Sequence, residues 1–211
     1  MTPRRLTLLI ILDGFGLRDQ KASGNAITAH TAPNIFRYMK EYASSKLAAA
    51  GEAVGLLPGQ KGNSEAGHFN IGAGRVVKQD LVLISEAIHD GTFFKNEAFK
   101  QALHHAAKYH TAVHILALLT QHNSVHTLPE HLFATLDYLR QNKAEKVFLH
   151  LITDGRDSSP HSAPTFLREL RAHLLAHEKI ATIMGRFYAM DRNKIWSRTA
   201  RAYDCMDLGK G

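Results

Sequence analysis

The sequence predicts an α/β fold built on a parallel sheet, and two observations lead there. Short apolar runs recur at 6–12, 112–119, 146–152 and 179–184. Between the last three lie longer segments whose apolar residues return every three to four positions. Strands alternating with amphipathic helices make βαβ units, which bury a parallel sheet under their helices.

The elements follow in order. Leu6 to Leu12 has the length of a buried strand and is closed by Asp13-Gly14-Phe15-Gly16. After a loop over 13–32 comes a helix at 33–43, with Pro33 in its first turn, where no N–H is needed. A short strand is expected near 46–50, then a glycine-rich loop over 56–75. A helix at 78–90 carries Leu81, Leu83, Ile84, Ala87 and Ile88 on one side, and another spans 96–109. Strand 112–119, helix 129–142 and strand 146–152 come next. A helix at 161–177 carries Phe166, Leu167, Leu170, Leu174 and Leu175; strand 179–184 and a helix at 193–206 complete the chain. The pattern changes near Val77, which divides the chain into domains 1–77 and 78–211.

Composition narrows the function. With 211 residues, 45% of them hydrophobic, the chain can bury one sizeable core or two modest ones. No apolar run approaches the roughly 20 residues of a membrane span. The basic start and the apolar run after it superficially suggest a signal peptide, but the run ends at Asp13 without a small-residue cleavage site, so a buried strand is the better reading. A single cysteine, Cys205, excludes an internal disulfide and fits a reducing cytoplasm. The net charge of +7 comes from scattered Arg and Lys without interleaved aromatics, which argues for a small anion rather than nucleic acid. The histidines, such as His104, His105, His110, His173 and His177, read mostly as solvated helix-face residues.

Ser64, within Gly62-Asn63-Ser64-Glu65-Ala66-Gly67-His68, has two readings. It is a nucleophile in need of a base or a metal, or the cap of a helix that starts near Glu65. Asp13, at a strand's C-terminal end, is a metal ligand or a turn former. Together they suggest metal-assisted phosphoryl transfer through a phosphoserine. By its spacing, Arg198 reads as a solvated helix-face residue.

These two blocks, with Thr153-Asp154-Gly155-Arg156-Asp157, Gly185 through Arg192, and Ala202-Tyr203-Asp204, resemble the cofactor-independent (2,3-bisphosphoglycerate-independent) phosphoglycerate mutases of the alkaline phosphatase superfamily. The resemblance runs in order from Leu6 to the C-terminus, while the family's chain is more than twice as long. It implies that 1–77 is the N-terminal part of an alkaline-phosphatase-like metal-binding domain. Residues 78–211 would be most of an inserted α/β phosphotransferase domain. The remaining metal ligands would lie in a C-terminal segment beyond this sequence.

The resemblance also implies roles. Ser64 is the phosphorylated nucleophile, and Asp13 and Ser64 share a metal ion, Mn²⁺ or else Mg²⁺, with two ions in the complete enzyme. His126, Arg156, Asp157, Arg186 and Arg192 hold the phosphoglycerate. Asn25 and His68 help shape the site without being ligands. The expected activity is interconversion of 3-phosphoglycerate and 2-phosphoglycerate by a cytoplasmic, monomeric enzyme without 2,3-bisphosphoglycerate, nucleic acid or a membrane. The alternative is a truncated, non-catalytic phosphoglycerate-binding chain or one half of a split mutase. Two departures from the family pattern stand out: Gln121-His122-Asn123-Ser124 before Val125-His126, in place of Ser-Asp-Gly-Gly, and Ala66 where a larger aliphatic residue is usual. If 1–77 lacks the rest of its sheet, the strand at 6–12 has an exposed edge and uncovered apolar faces.

Overall fold

The structure, a computed structural model, describes residues 6–120, 124 and 126–211. It divides into two compact units, one of Met1–Gly55 with Lys61–Val77, the other of Leu56–Gln60 with Lys78–Gly211. The replaced loop residues Gln121, His122 and Asn123 lie outside the described residues.

The second unit is a three-layered βαβ assembly. Its strands β1 (Val113–Leu119), β2 (Val147–Thr153) and β3 (Glu178–Gly185) form a parallel sheet in the order β1-β2-β3. Val113 pairs with Val147 and Val147 with Glu178, and the register shifts between Leu149 and His150. One face is dry: Val147, Leu149 and Leu151 are fully buried with Leu136 and Tyr138 of the helix Pro129–Gln141. Leu170 of the helix Ala163–His173 closes this core. On the other face Ile152 and Met184 pack with Ala202 of the helix Trp196–Leu208. The helices Asp80–Asp90 and Glu97–Tyr109 complete the unit, close to the expected bounds.

The helix expected over 161–177 is shorter. It ends at His173 because Arg140 and Glu178 capture the following turn. Arg140 Nη2 donates to the His173 carbonyl at 2.7 Å and to Glu178 Oε2 at 2.8 Å. The same carboxylate accepts from the Leu175 N–H at 2.8 Å, so 174–177 serves as an entry turn to β3.

The first unit corrects the expectation of a sheet. Residues 6–12 form no strand, nor do 46–50; among the described residues the only sheet is the three-stranded one. An apolar run becomes a strand only when a neighbour takes its backbone N–H and C=O groups. Lacking one here, Leu6, Leu8, Leu9 and Ile10 lie mostly exposed. The unit has the helix α1 (Pro33–Glu41), a 3-10 turn at Gly51–Val54, and the helix α2 (Ser64–Ala73). Thus the expected glycine-rich loop is helical through 64–73. Gly62, just before it, lets the chain pass Ala49: a Cβ there would sit inside the Ala49 carbonyl.

Candidate active site

Asn63, not Ser64, caps α2. Its side chain accepts from the Ala66 N–H at 2.8 Å, which makes Ser64 the first helical residue. The capping task is therefore met elsewhere, and the Ser64 hydroxyl is available. It donates to Asp13 Oδ2 at 2.7 Å. His68, one turn on, holds its Nδ1 at 2.7 Å from the Ser64 carbonyl. A carbonyl only accepts, so Nδ1 carries the proton and Asp13 is the acceptor for the hydroxyl. Further along α2, Asn70 donates to the Val54 carbonyl at 3.0 Å and accepts from the Val77 N–H at 2.7 Å, fixing the helix between its neighbours. Asn25 ties its own loop, donating to the Asp19 carbonyl and accepting from the Ile27 N–H.

The second group of residues sits where β1, β2 and β3 end. The C-terminal edge of a parallel sheet is where loops leave the strands and a crevice opens. Asp154 follows β2, and its buried carboxylate collects five hydrogen bonds. Oδ1 accepts from Arg186 Nη1 at 2.6 Å and from the N–H groups of Arg156 at 3.1 Å and Asp157 at 3.2 Å. Oδ2 accepts from the Ser158 N–H at 2.6 Å and from Thr120 Oγ1 at 3.0 Å. The turn runs through Gly155 at φ +97°, a conformation that suits glycine. Burial opposes ionisation of Asp154, but the hydrogen bonds from Arg186, Ser158 and the turn outweigh it and hold the carboxyl far below its ordinary range.

Arg186 opens the short helix Arg186–Ala189 directly after β3, an element the sequence pattern did not show. Its Nη1 bridges Asp154 and Asp157 Oδ2, the latter at 3.0 Å. Burial works against its charge, but the two carboxylates more than compensate and push its pKa up. Asp157 Oδ2 also lies 3.8 Å from His126 Nε2. Buried Ser124 fixes His126 from behind: its Oγ accepts from the His126 N–H at 3.1 Å, while its carbonyl accepts from Gln60 Nε2 at 3.0 Å.

A cavity of about 950 Å3 opens over this edge, lined by His126, Arg156, Arg186, Arg192 and Arg198 among others. Four guanidiniums around one cavity, with Asp154 and Asp191 on its wall, suit a small anion that carries more than one charged group. The sequence-predicted residues thus fall into two groups, one in each unit: Asp13 with Ser64, and His126 with Arg156, Asp157, Arg186 and Arg192. Sequence reasoning missed Asp154, Thr120, Ser124 and Ser158, which touch each other or the turn. The Asp-Gly pair at a strand end was the available signal for Asp154. Arg198, expected on a solvated face, has its side chain only 24% exposed and lines the cavity.

Two oxygens 2.7 Å apart, Asp13 Oδ2 and Ser64 Oγ, suit one hard divalent cation as two of its ligands. Among the described residues no group of three or more His, Cys, Asp or Glu could hold a metal. No helix of the described residues is long and apolar enough to cross a membrane.

Comparison with known proteins gives a consistent family. The family described as BPG-independent PGAM N-terminus matches residues 84–211. A 2,3-bisphosphoglycerate-independent phosphoglycerate mutase of Clostridium novyi is 44% identical over 99% of this chain and 41% of its own length. The enzyme of the same name from Moorella thermoacetica is 46% identical over 98% of this chain and 40% of its own. A crystal structure of Leishmania mexicana phosphoglycerate mutase at low cobalt concentration superposes with a TM-score of 0.73 and 29% identity, covering 85% of this chain and 34% of that one. The chain thus spans about two fifths of the length of the curated relatives it matches.

Proposed function

The chain belongs to the family described as BPG-independent PGAM N-terminus, and on that premise we propose that it carries the phosphoserine and substrate-binding parts of a 2,3-bisphosphoglycerate-independent phosphoglycerate mutase. The observation that carries this reading is the arginine-lined cavity at the sheet edge, its Arg186 held by Asp154 and Asp157.

In this reading Ser64 Oγ attacks the phosphorus of 3-phosphoglycerate and the bond to the C3 oxygen breaks. The Ser64 hydroxyl, which now donates to Asp13, gives up its proton to solvent, so that Asp13 stays ionised as a cation ligand. The glycerate stays in the cavity, its anionic groups bound by Arg156, Arg186 and Arg192 through paired N–H donors. Asp157 accepts a hydrogen bond from a glycerate hydroxyl, and His126 donates to the departing oxygen. Phospho-Ser64 then returns the group to the C2 oxygen, whose proton passes to His126 in place of the one given to the C3 oxygen, and 2-phosphoglycerate results. A divalent ion held by Asp13 and Ser64, Mn²⁺ or Mg²⁺, would stabilise the serine alkoxide and offset phosphoryl charge.

The same reading makes 1–77 the N-terminal part of an alkaline-phosphatase-like metal-binding domain and 78–211 most of an inserted phosphotransferase domain. It puts the protein in the cytoplasm as a monomer acting on a free metabolite.

A second reading is favoured by one observation, the lack of a cluster of three or more metal-ligating side chains among the described residues. There the chain binds phosphoglycerate without turnover, or works as one half of a split enzyme.

Titrating 3-phosphoglycerate into the chain by calorimetry, then incubating with Mn²⁺ and mapping peptides by mass spectrometry, separates the two. Binding with phosphate on Ser64 supports the mutase chemistry. Binding without it supports the second reading, and no binding overturns both.

A further inference from the structure

We propose that Arg198 is a further anion-binding residue of this cavity, a role that rests on the reading of the cavity as a phosphoglycerate site. Arg198 is held in one orientation at the cavity wall. Its Nη1 donates to Asp191 Oδ1 at 2.9 Å, and its guanidinium carbon lies 3.9 Å from the centre of the Phe187 ring. The ring covers one face of the guanidinium and the carboxylate takes one corner of its edge. Nε and Nη2 have no protein partner among the described residues, and the side chain lines the cavity.

Arg186 has the same layout. It too spends Nη1 on buried carboxylate and lines the cavity with its other donors unpaired among the described residues. In both cases an acidic residue fixes the cation in one orientation, so little rotamer entropy remains to be lost when an anion binds.

A purely structural role for Arg198 explains less. Asp191 is buried to 2% side-chain exposure, yet it already accepts from the N–H groups of Asn193 at 3.1 Å and Ile195 at 2.9 Å. Those N–H bonds stabilise its charge and shape the entry to the last helix without any arginine. Of the ionic groups lining the cavity, Arg156, Arg186, Arg192 and Arg198 face Asp154 and Asp191, leaving excess positive charge for a ligand. The ligand is an oxyanion group of the phosphoglycerate, carboxylate or phosphate, gripped by Nε and Nη2 of Arg198.

Calorimetric titration of 3-phosphoglycerate into the 211-residue chain tests this. Arg198→Gln is expected to weaken binding by about tenfold or more, the scale of a lost charge-assisted hydrogen bond. Arg198→Lys keeps the charge without the fork and falls between. Arg201→Gln is the control: it sits one turn along the same helix but lines a different cavity, with Ile183, Tyr188 and Cys205, and leaves affinity unchanged. Phe187→Leu, which keeps the guanidinium but removes its platform, weakens binding less than Arg198→Gln and covers the case of an unstable glutamine variant. Wild-type affinity in both Arg198→Gln and Arg198→Lys, with only the melting temperature lowered, overturns the proposal and leaves the phosphoglycerate reading standing. No binding by the wild-type chain overturns the cavity's assignment itself.

Discussion

Asp154 and Arg186, each one residue beyond the end of its strand, are joined by a 2.6 Å hydrogen bond between Oδ1 and Nη1. Because β2 and β3 are paired in parallel, their ends lie side by side, and the pair locks the two loops that leave them.

Replacing Asp154 by Asn should be among the most damaging changes in the second unit. The side chain is 1% exposed, and the neutral amide would turn a donor toward groups that now donate to it. Breaking a buried ion pair costs about 3–5 kcal/mol. Urea unfolding should show a loss of that order, with weaker binding of 3-phosphoglycerate because Arg156 and Arg186 lose their common anchor. A variant as stable as the wild type would contradict this account.

Asn63 and Ser64 should separate cleanly. Asn63→Ala removes the cap of α2, a loss of about 1 kcal/mol, and should speed amide exchange at Ala66 and its neighbours. Ser64→Ala leaves the cap in place and should not speed exchange, while it abolishes any phosphate incorporation at that position. Faster exchange in Ser64→Ala than in Asn63→Ala would restore the serine as the cap.

Acid should destabilise the fold in two stages. Burial holds His150 below the ordinary imidazole pKa, with His114 beside it, 2.9 Å between the facing nitrogens; Thr182 Oγ1 meets its other nitrogen at 2.8 Å. Burial does the same at His131, against a smaller opposing pull from Glu130. The unfolded chain takes up these protons near pH ~6.5, before the folded chain does, so stability is full above that pH and declines as pH falls below it. At Asp154 and Glu178 burial raises the pKa, but hydrogen bonds led by Arg186 and Arg140 outweigh it. Their contribution is full above about pH 4.3 and is lost below that. Chemical unfolding between pH 4.5 and pH 8 should flatten in a His131→Gln, His150→Gln variant; an unchanged slope would remove the histidines from the explanation.

The uncovered run at 6–12 should make the chain aggregation-prone. Leu6 is 92% exposed and Leu8 74%, along a segment without a pairing strand. Leu8→Lys with Ile10→Lys should raise the soluble, monodisperse fraction in sedimentation without touching the second unit. Amides of 6–12 should exchange without protection. Strong protection there in a soluble monomer would show that the run is paired after all.

Much of the second unit was legible in the sequence because its elements are specified locally. The apolar run that became β1 and the helical spacing that became Asp80–Asp90 need only their own residues to be recognised, and both are found within two residues of expectation. The early end of the helix at His173 was not legible, since Arg140 comes from another element.

The sequence by itself determined the α/β class, the parallel strands at 112–119, 146–152 and 179–184, and which residue types could bind an anion. Only the tertiary structure decided three further matters. Residues 6–12 stay unpaired, because a strand is a property of two segments rather than one. The cap is Asn63, because capping depends on which side chain reaches the Ala66 N–H. Arg198 joins the cavity, because its direction is set by Asp191 and Phe187, contacts that helical spacing alone does not encode.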